Sequence, residues 1–152
     1  MPEQPTATSE PDLTDSGYAW WRLAVSLAIS TVGGVGLWSV VVTLPAIEAE
    51  FGLDRGSAAL PYTATMIGFA FGGIIMGRLA DRFGIFIPLV FGTVMLGIGY
   101  IVAAQAESML TFALAQSLLI GMLGSAATFG PLVADVSLWF EKHRGLAVAV
   151  VA

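Results

Sequence analysis

Four long apolar runs separated by short polar breaks organise the chain, at about 19–47, 58–79, 85–106 and 110–139. Each is apolar on all sides and lacks the period-two alternation of a barrel strand. A helix satisfies its own backbone hydrogen bonds and needs roughly 20 residues to cross a bilayer core, so each run predicts one membrane-spanning helix. Pro61 and Pro88 fall in the first turns of the second and third runs, where a missing N–H is tolerated, and Pro131 lies inside the fourth. A fifth apolar stretch, "GLAVAVVA", occupies 145–152 and is too short to cross alone. The pattern therefore predicts an all-α fold, a polytopic membrane helical bundle of four complete helices plus the start of a fifth. Ahead of the first run, residues 1–18 are polar, with three prolines and no apolar periodicity, and predict a disordered tail.

Composition agrees with this class and removes others. Hydrophobic residues make up 57% of the 152 and charged ones 11%, against about a quarter charged in soluble domains. The net charge is −5 and no basic patch suits nucleic acid. With no cysteine and a single histidine, His143, the sequence offers no metal cluster, and no cofactor is expected. Enzyme patterns are missing as well: "TVGGVG" lies inside an apolar run and lacks a P-loop lysine.

Lys and Arg set the expected orientation. Arg22 precedes the first helix, Arg78 and Arg82 follow the second, and Lys142 and Arg144 follow the fourth, so alternating crossings put all five on one face. Only Arg55 lies on the other. The positive-inside rule then places the N-terminus in the cytoplasm of a multi-pass protein of the plasma or inner membrane. Glycines on the second helix, Gly68, Gly72, Gly73 and Gly77, make two overlapping small-xxx-small spacings that allow close helix contact.

The break "GRLADRFG", Gly77 to Gly84, carries the most information. Gly84 suits a turn needing positive φ. Arg78 and Arg82 fit the cytoplasmic face, but Asp81 opposes that bias and calls for an attracting arginine or helix N-terminus. The octet resembles the loop motif between helices two and three of the major facilitator superfamily, roughly G-x-L-a-D-r-x-G-[RK]-[RK]. Gly77, Leu79, Ala80, Asp81, Arg82 and Gly84 match, and Ile85 and Phe86 stand where the family carries basic residues. The resemblance implies the N-terminal part of that fold, with Asp81 latching this half against a missing C-terminal half.

Two further stretches resemble the monocarboxylate-transporter branch. "DSGYAWW" is similar to its motif before helix one, through Asp15, Gly17, Ala19 and Trp20. "WFEKHRGLA" is similar to its motif before helix five, through Phe140, Lys142, Arg144, Leu146 and Ala147. Ser117 stands where drug–proton antiporters carry an arginine. The branch implies a secondary transporter moving a small organic anion through the lipid bilayer by alternating access, with proton symport left open. The alternatives are a transporter of a sugar or drug and a non-transporting four-helix subunit.

For chemistry within the spans, Asp135 is the leading candidate, with Lys142, Arg144 or His143 expected as its partner. Ser39, Thr65, Gln116 and Thr128 are candidate hydrogen-bonding groups at mid-depth. The first helix has no lysine to hold a carboxylate, as animal members of the branch do; Trp38 and Ser39 occupy that region.

Overall fold

A computed structural model describes residues 14–152. Most of the tail expected over 1–18 lies outside the described residues. Residues 14–18 do not follow that expectation: they hold the turn and the cap that open the first helix.

The described residues form α1 (Gly17–Phe51), a short α2 (Arg55–Ala58), α3 (Leu60–Phe83), α4 (Phe86–Ala104), α5 (Met109–Leu114), a π-helical segment (Ala115–Ser125), α6 (Ala126–Trp139) and α7 (Arg144–Val151). They contain no strand. Four spans are long and apolar enough to cross a membrane: Gly17–Phe51, Arg55–Phe83, Phe86–Ala104 and Met109–Trp139.

Local chemistry fixes where the helices start and stop. Ser16 caps α1, its hydroxyl accepting from the Ala19 N–H at 3.3 Å. The helix runs past Pro45 to a left-handed cap at Gly52, φ +61°, beyond the end expected near residue 47. Asp54 caps α2 by accepting from the Gly56 and Ser57 amides, which holds its carboxyl below the ordinary value, with the Ser57 hydroxyl at 2.7 Å the largest cause. Ser108 caps α5 through the Thr111 N–H. Side-chain caps of this kind satisfy amides that the first helical turn leaves unpaired.

The octet Gly77–Gly84 is less of a loop than its sequence suggests. Helix α3 continues through Phe83, and only Gly84, φ +78°, and Ile85 make the turn into α4.

The fourth span is the hub, packed against each of the other three. Its contact with α3 needs glycine: a Cβ on Gly68 would collide with the Ser117 carbonyl, and one on Gly72 with the Met122 carbonyl. Gly73 and Gly77 have open space where a Cβ would sit, so only the Gly68–Gly72 spacing is a helix crossing. Both clashing carbonyls belong to the π segment, which widens the helix where α3 presses on it. Polar bonds between spans are few. Ser125 donates to the Gly33 carbonyl at 3.1 Å, and the Tyr100 hydroxyl reaches the Val35 carbonyl at 3.0 Å.

Large apolar side chains face outward, with Val42 79%, Leu138 74% and Phe86 72% exposed. This is the surface expected of a protein whose solvent is lipid, where apolar groups gain nothing by hiding from their surroundings. The inner apolar groups form small clusters along the bundle instead, such as Ala19, Leu23, Leu132, Val136 and Phe140 at one end and Val40, Ile47 and Ala58 at the other.

Candidate functional site

The stretch before α1 and the stretch before α7 meet at the end of the bundle that carries most of the basic residues. Asp15 sits at φ +53° and donates its N–H to the Trp139 carbonyl at 3.1 Å. Its carboxylate accepts from the Lys142 N–H at 2.9 Å and the Glu141 N–H at 3.3 Å, and lies 3.1 Å from His143 Nδ1. The Lys142 amide, then the His143 ring, hold the Asp15 carboxyl below its ordinary value, because hydrogen bonds to the charged form favour it. Trp20 stands edge-on to the buried Phe140 ring at 5.2 Å, and Tyr18 edge-on to Trp139 at 5.6 Å. Gly17 is the first residue of α1. Two stretches 120-odd positions apart thus form one junction.

The Lys142 side chain takes no described part; its amide does the binding. Arg144 reaches the Ser137 hydroxyl at 3.5 Å.

Asp135 does not pair with Lys142, Arg144 or His143, as proximity in sequence suggested. Its Oδ2 lies 2.7 Å from Nη2 of Arg22, and the Arg22 guanidinium stacks 4.4 Å from the centre of the Trp139 ring. Arg22 is inside α1 rather than before it. The first and fourth spans pack side by side, so an arginine one turn into α1 reaches the carboxylate one turn before the end of α6. The signal available in the sequence was an arginine already inside an apolar run, where a counter-charge is needed.

Asp135 also borders a cleft of about 220 Å³ that it shares with Asp81, Gly77, Pro131 and Leu138. Asp81 is exposed and makes no ion pair among the described residues. Arg78 folds back to the Ile74 carbonyl at 3.4 Å, and Arg82 lies over the Phe83 ring at 5.3 Å. The octet therefore leaves its carboxylate available.

The four mid-depth candidates divide. The buried Thr65 hydroxyl donates to the Pro61 carbonyl and that of Thr128 to the Ser125 carbonyl, so both are satisfied within their own spans. Ser39 and Gln116 instead line a cavity of about 430 Å³ towards the other end of the bundle. Tyr100, which sequence reasoning missed, joins them, its hydroxyl 2.9 Å from Ser39 Oγ. The described residues hold no group of three or more His, Cys, Asp or Glu side chains placed to bind a metal.

The chain matches the sequence profile of the Major Facilitator Superfamily over residues 25–152. It is 36% identical over 81 residues to MFS-type transporter 1 of Ophiocordyceps sp., covering 53% of this chain and 18% of that one. It is 34% identical over 101 residues to the Fujikurins efflux protein of Gibberella fujikuroi, covering 65% and 22%. With the 4-hydroxybenzoate transporter PcaK of Pseudomonas putida it shares 35% identity over 69 residues, covering 45% and 15%. The chain thus spans under a quarter of the length of these relatives. A profile match over most of the chain, on a bundle of four membrane-length helices, places it in a family: the chain belongs to the major facilitator superfamily.

Proposed function

We propose that the chain supplies the first spans of a secondary transporter that moves a small organic acid by alternating access. The observation that carries this reading is Asp81, a carboxylate held exposed at the rim of a cleft between α3 and α6 with no partner among the described residues. A charge left open on one rigid body is suited to engage a second body and release it. The partner is a C-terminal half in the same transporter, offering an arginine or a helix N-terminus. The monocarboxylate-like branch is supported by the junction of Asp15 with Glu141 and Lys142, which joins the two stretches that resemble that branch. A relative named for transport of 4-hydroxybenzoate, an aromatic monocarboxylate, points the same way.

Within this reading the four spans move as a unit. Arg22–Asp135 ties the first to the fourth, and the Gly68–Gly72 crossing ties the second to it. All six Lys and Arg lie near span ends or in the connecting segments, so the cation that holds the cargo's carboxylate comes from the other half. The basic end faces the cytoplasm of a plasma or inner membrane.

The test is uptake of labelled 4-hydroxybenzoate and lactate by cells expressing the transporter, with and without an inward proton gradient. Uptake of at least one acid is expected, with Asp81→Asn lowering it about tenfold at unchanged surface expression, a coupling of ordinary size. Uptake unaffected by Asp81→Asn would remove the latch, and no uptake of either acid would remove the cargo class.

A further inference from the structure

A cavity of about 280 Å³ opens between α1, the start of α4 and α6, at the bundle end that carries Arg22. Its α1 wall is a single helix face: Tyr18, Arg22, Ser26 and Ile29 follow one another at three- and four-residue spacing. From the bundle end inward, that face passes from aromatic to cation to hydroxyl to apolar. Leu89 of α4 and Leu132 of α6 close the apolar part, and Trp21 stands at the outer rim, 68% exposed.

Ser26 is the group with nothing to do. It is 6% exposed, and its hydroxyl makes no hydrogen bond among the described residues. Other hydroxyls within the spans turn back to a carbonyl four residues earlier, as Thr31, Thr43 and Thr65 do. Gln116 Oε1 is the one sealed side-chain atom without a partner among the described residues, so the Ser26 hydroxyl opens onto the cavity it lines. Arg22 also has capacity left. Asp135 engages Nη2, Trp139 covers the guanidinium at 4.4 Å, and a guanidinium carries five N–H groups. Of that ion pair the cation is the more open member, with 31% of its side chain exposed against 17%. Helix α4 starts at this cavity, through Ile85, without a side-chain cap, and a helix start favours an anion.

Arg22 and Ser26 lie one turn apart, about 6 Å along the axis. A glycerophospholipid presents its phosphate, its ester carbonyls and its acyl chains in that same order from the membrane surface inward. We infer that this cavity is a binding site for one glycerophospholipid of the leaflet at this end. Arg22 holds the phosphate, Ser26 donates to an ester carbonyl, and an acyl chain lies along Ile29, Leu89 and Leu132. A free phosphate would leave Ser26 and the apolar walls unused. The inference goes beyond the organic-acid reading and holds or fails whatever the cargo.

The experiment titrates the full chain in detergent with dioleoyl phosphatidylglycerol and three relatives, each lacking one part. The diether analogue lacks the ester carbonyls, dioleoylglycerol lacks the phosphate, and glycerol phosphate lacks the chains. Native mass spectrometry counts the bound molecules. One saturable site is expected for the phospholipid, about fivefold weaker for the diether and about tenfold weaker for dioleoylglycerol. No saturable binding is expected for glycerol phosphate. Ser26→Ala lowers the ester lipid to the level of the diether. Its thermal midpoint stays level, because the hydroxyl bonds no described residue, so loss of binding is not loss of fold. Arg22→Ala weakens the phospholipid about tenfold and leaves dioleoylglycerol unchanged. Dioleoylglycerol binding as tightly as the phospholipid would overturn the inference, as would an ester–diether difference that survives Ser26→Ala. So would glycerol phosphate binding as tightly as the lipid, the mark of a free-phosphate site. Absence of saturable lipid binding, the result expected if another helix fills the space, would overturn it too.

Discussion

At the end of the bundle that carries Arg22, Asp15 and Asp135, charge is spent on structure. Asp15 accepts from two amides and faces His143, Arg22 holds Asp135 at 2.7 Å, and Trp139 lies under the guanidinium. At the other end a buried amide oxygen is bare, an acidic residue is unpaired and a cavity of about 430 Å³ remains between the first, third and fourth spans. The contrast teaches where each end can do work. The junction is a fastening, since Asp15 and Asp135 already have what they need, whereas Asp81 at the same end is left open. The other end instead keeps polar groups without partners among the described residues, beside open space.

The sharpest way to break the contrast is to attack the crossing that both ends depend on. Gly72→Val drives a side chain into the Met122 carbonyl and is expected to cost about 3 kcal/mol, the upper range for overpacking. Gly73→Ala, facing open space, is expected to leave stability nearly unchanged. Thermal unfolding in detergent by circular dichroism compares the pair, and equal losses would contradict the crossing.

The fastening should yield next. Arg22→Ala strips Asp135 of its partner and Trp139 of its cation. Both side chains of the ion pair keep some exposure, 31% and 17%, so water takes part of the load and the expected loss is about 1–2 kcal/mol rather than that of a fully buried pair. Arg144→Ala, bonded among the described residues only to the Ser137 hydroxyl at 3.5 Å, is expected to lose less than about 0.5 kcal/mol. The reverse ranking would return Asp135 to the partner that sequence proximity suggests.

The smallest effect is one of pH. The Asp15 carboxyl is held below its ordinary 3.8 in the folded chain. A depressed folded value means its contribution is fully present above 3.8 and fades as the pH falls through the lower folded value. Limited proteolysis around residues 14–16 is expected to quicken in that acid range. Asp15→Asn should lose this pH dependence, cleaving at one rate on both sides of it.

The sequence revealed the spans because a run that is apolar on every side has few other solutions, and the caps at Gly52 and Gly84 sit where glycine stands at a break. Ser39 and Gln116 were visible as polar residues in apolar surroundings. Thr65 and Thr128 looked the same, and only the structure shows their hydroxyls satisfied by carbonyls three and four residues back. The partner of Asp135 was hidden because 113 positions separate it from Arg22, and helix packing brings the two together. Tyr100 was overlooked because a tyrosine near a span end reads as part of an interfacial belt. The π segment has no local sequence cue, since it lies where α3 presses Gly68 and Gly72 against the fourth span.

The account stands on the two ends lying in different compartments, and the chain's freedom from cysteine makes that directly measurable. Single cysteines placed by Glu141→Cys at the basic end and Glu107→Cys at the cavity end are to be labelled in intact cells with a membrane-impermeant maleimide. The expected result is labelling of the Glu107→Cys chain from outside, and of the Glu141→Cys chain only after the membrane is opened. Labelling of both from outside, or of the Glu141→Cys chain alone, would contradict it.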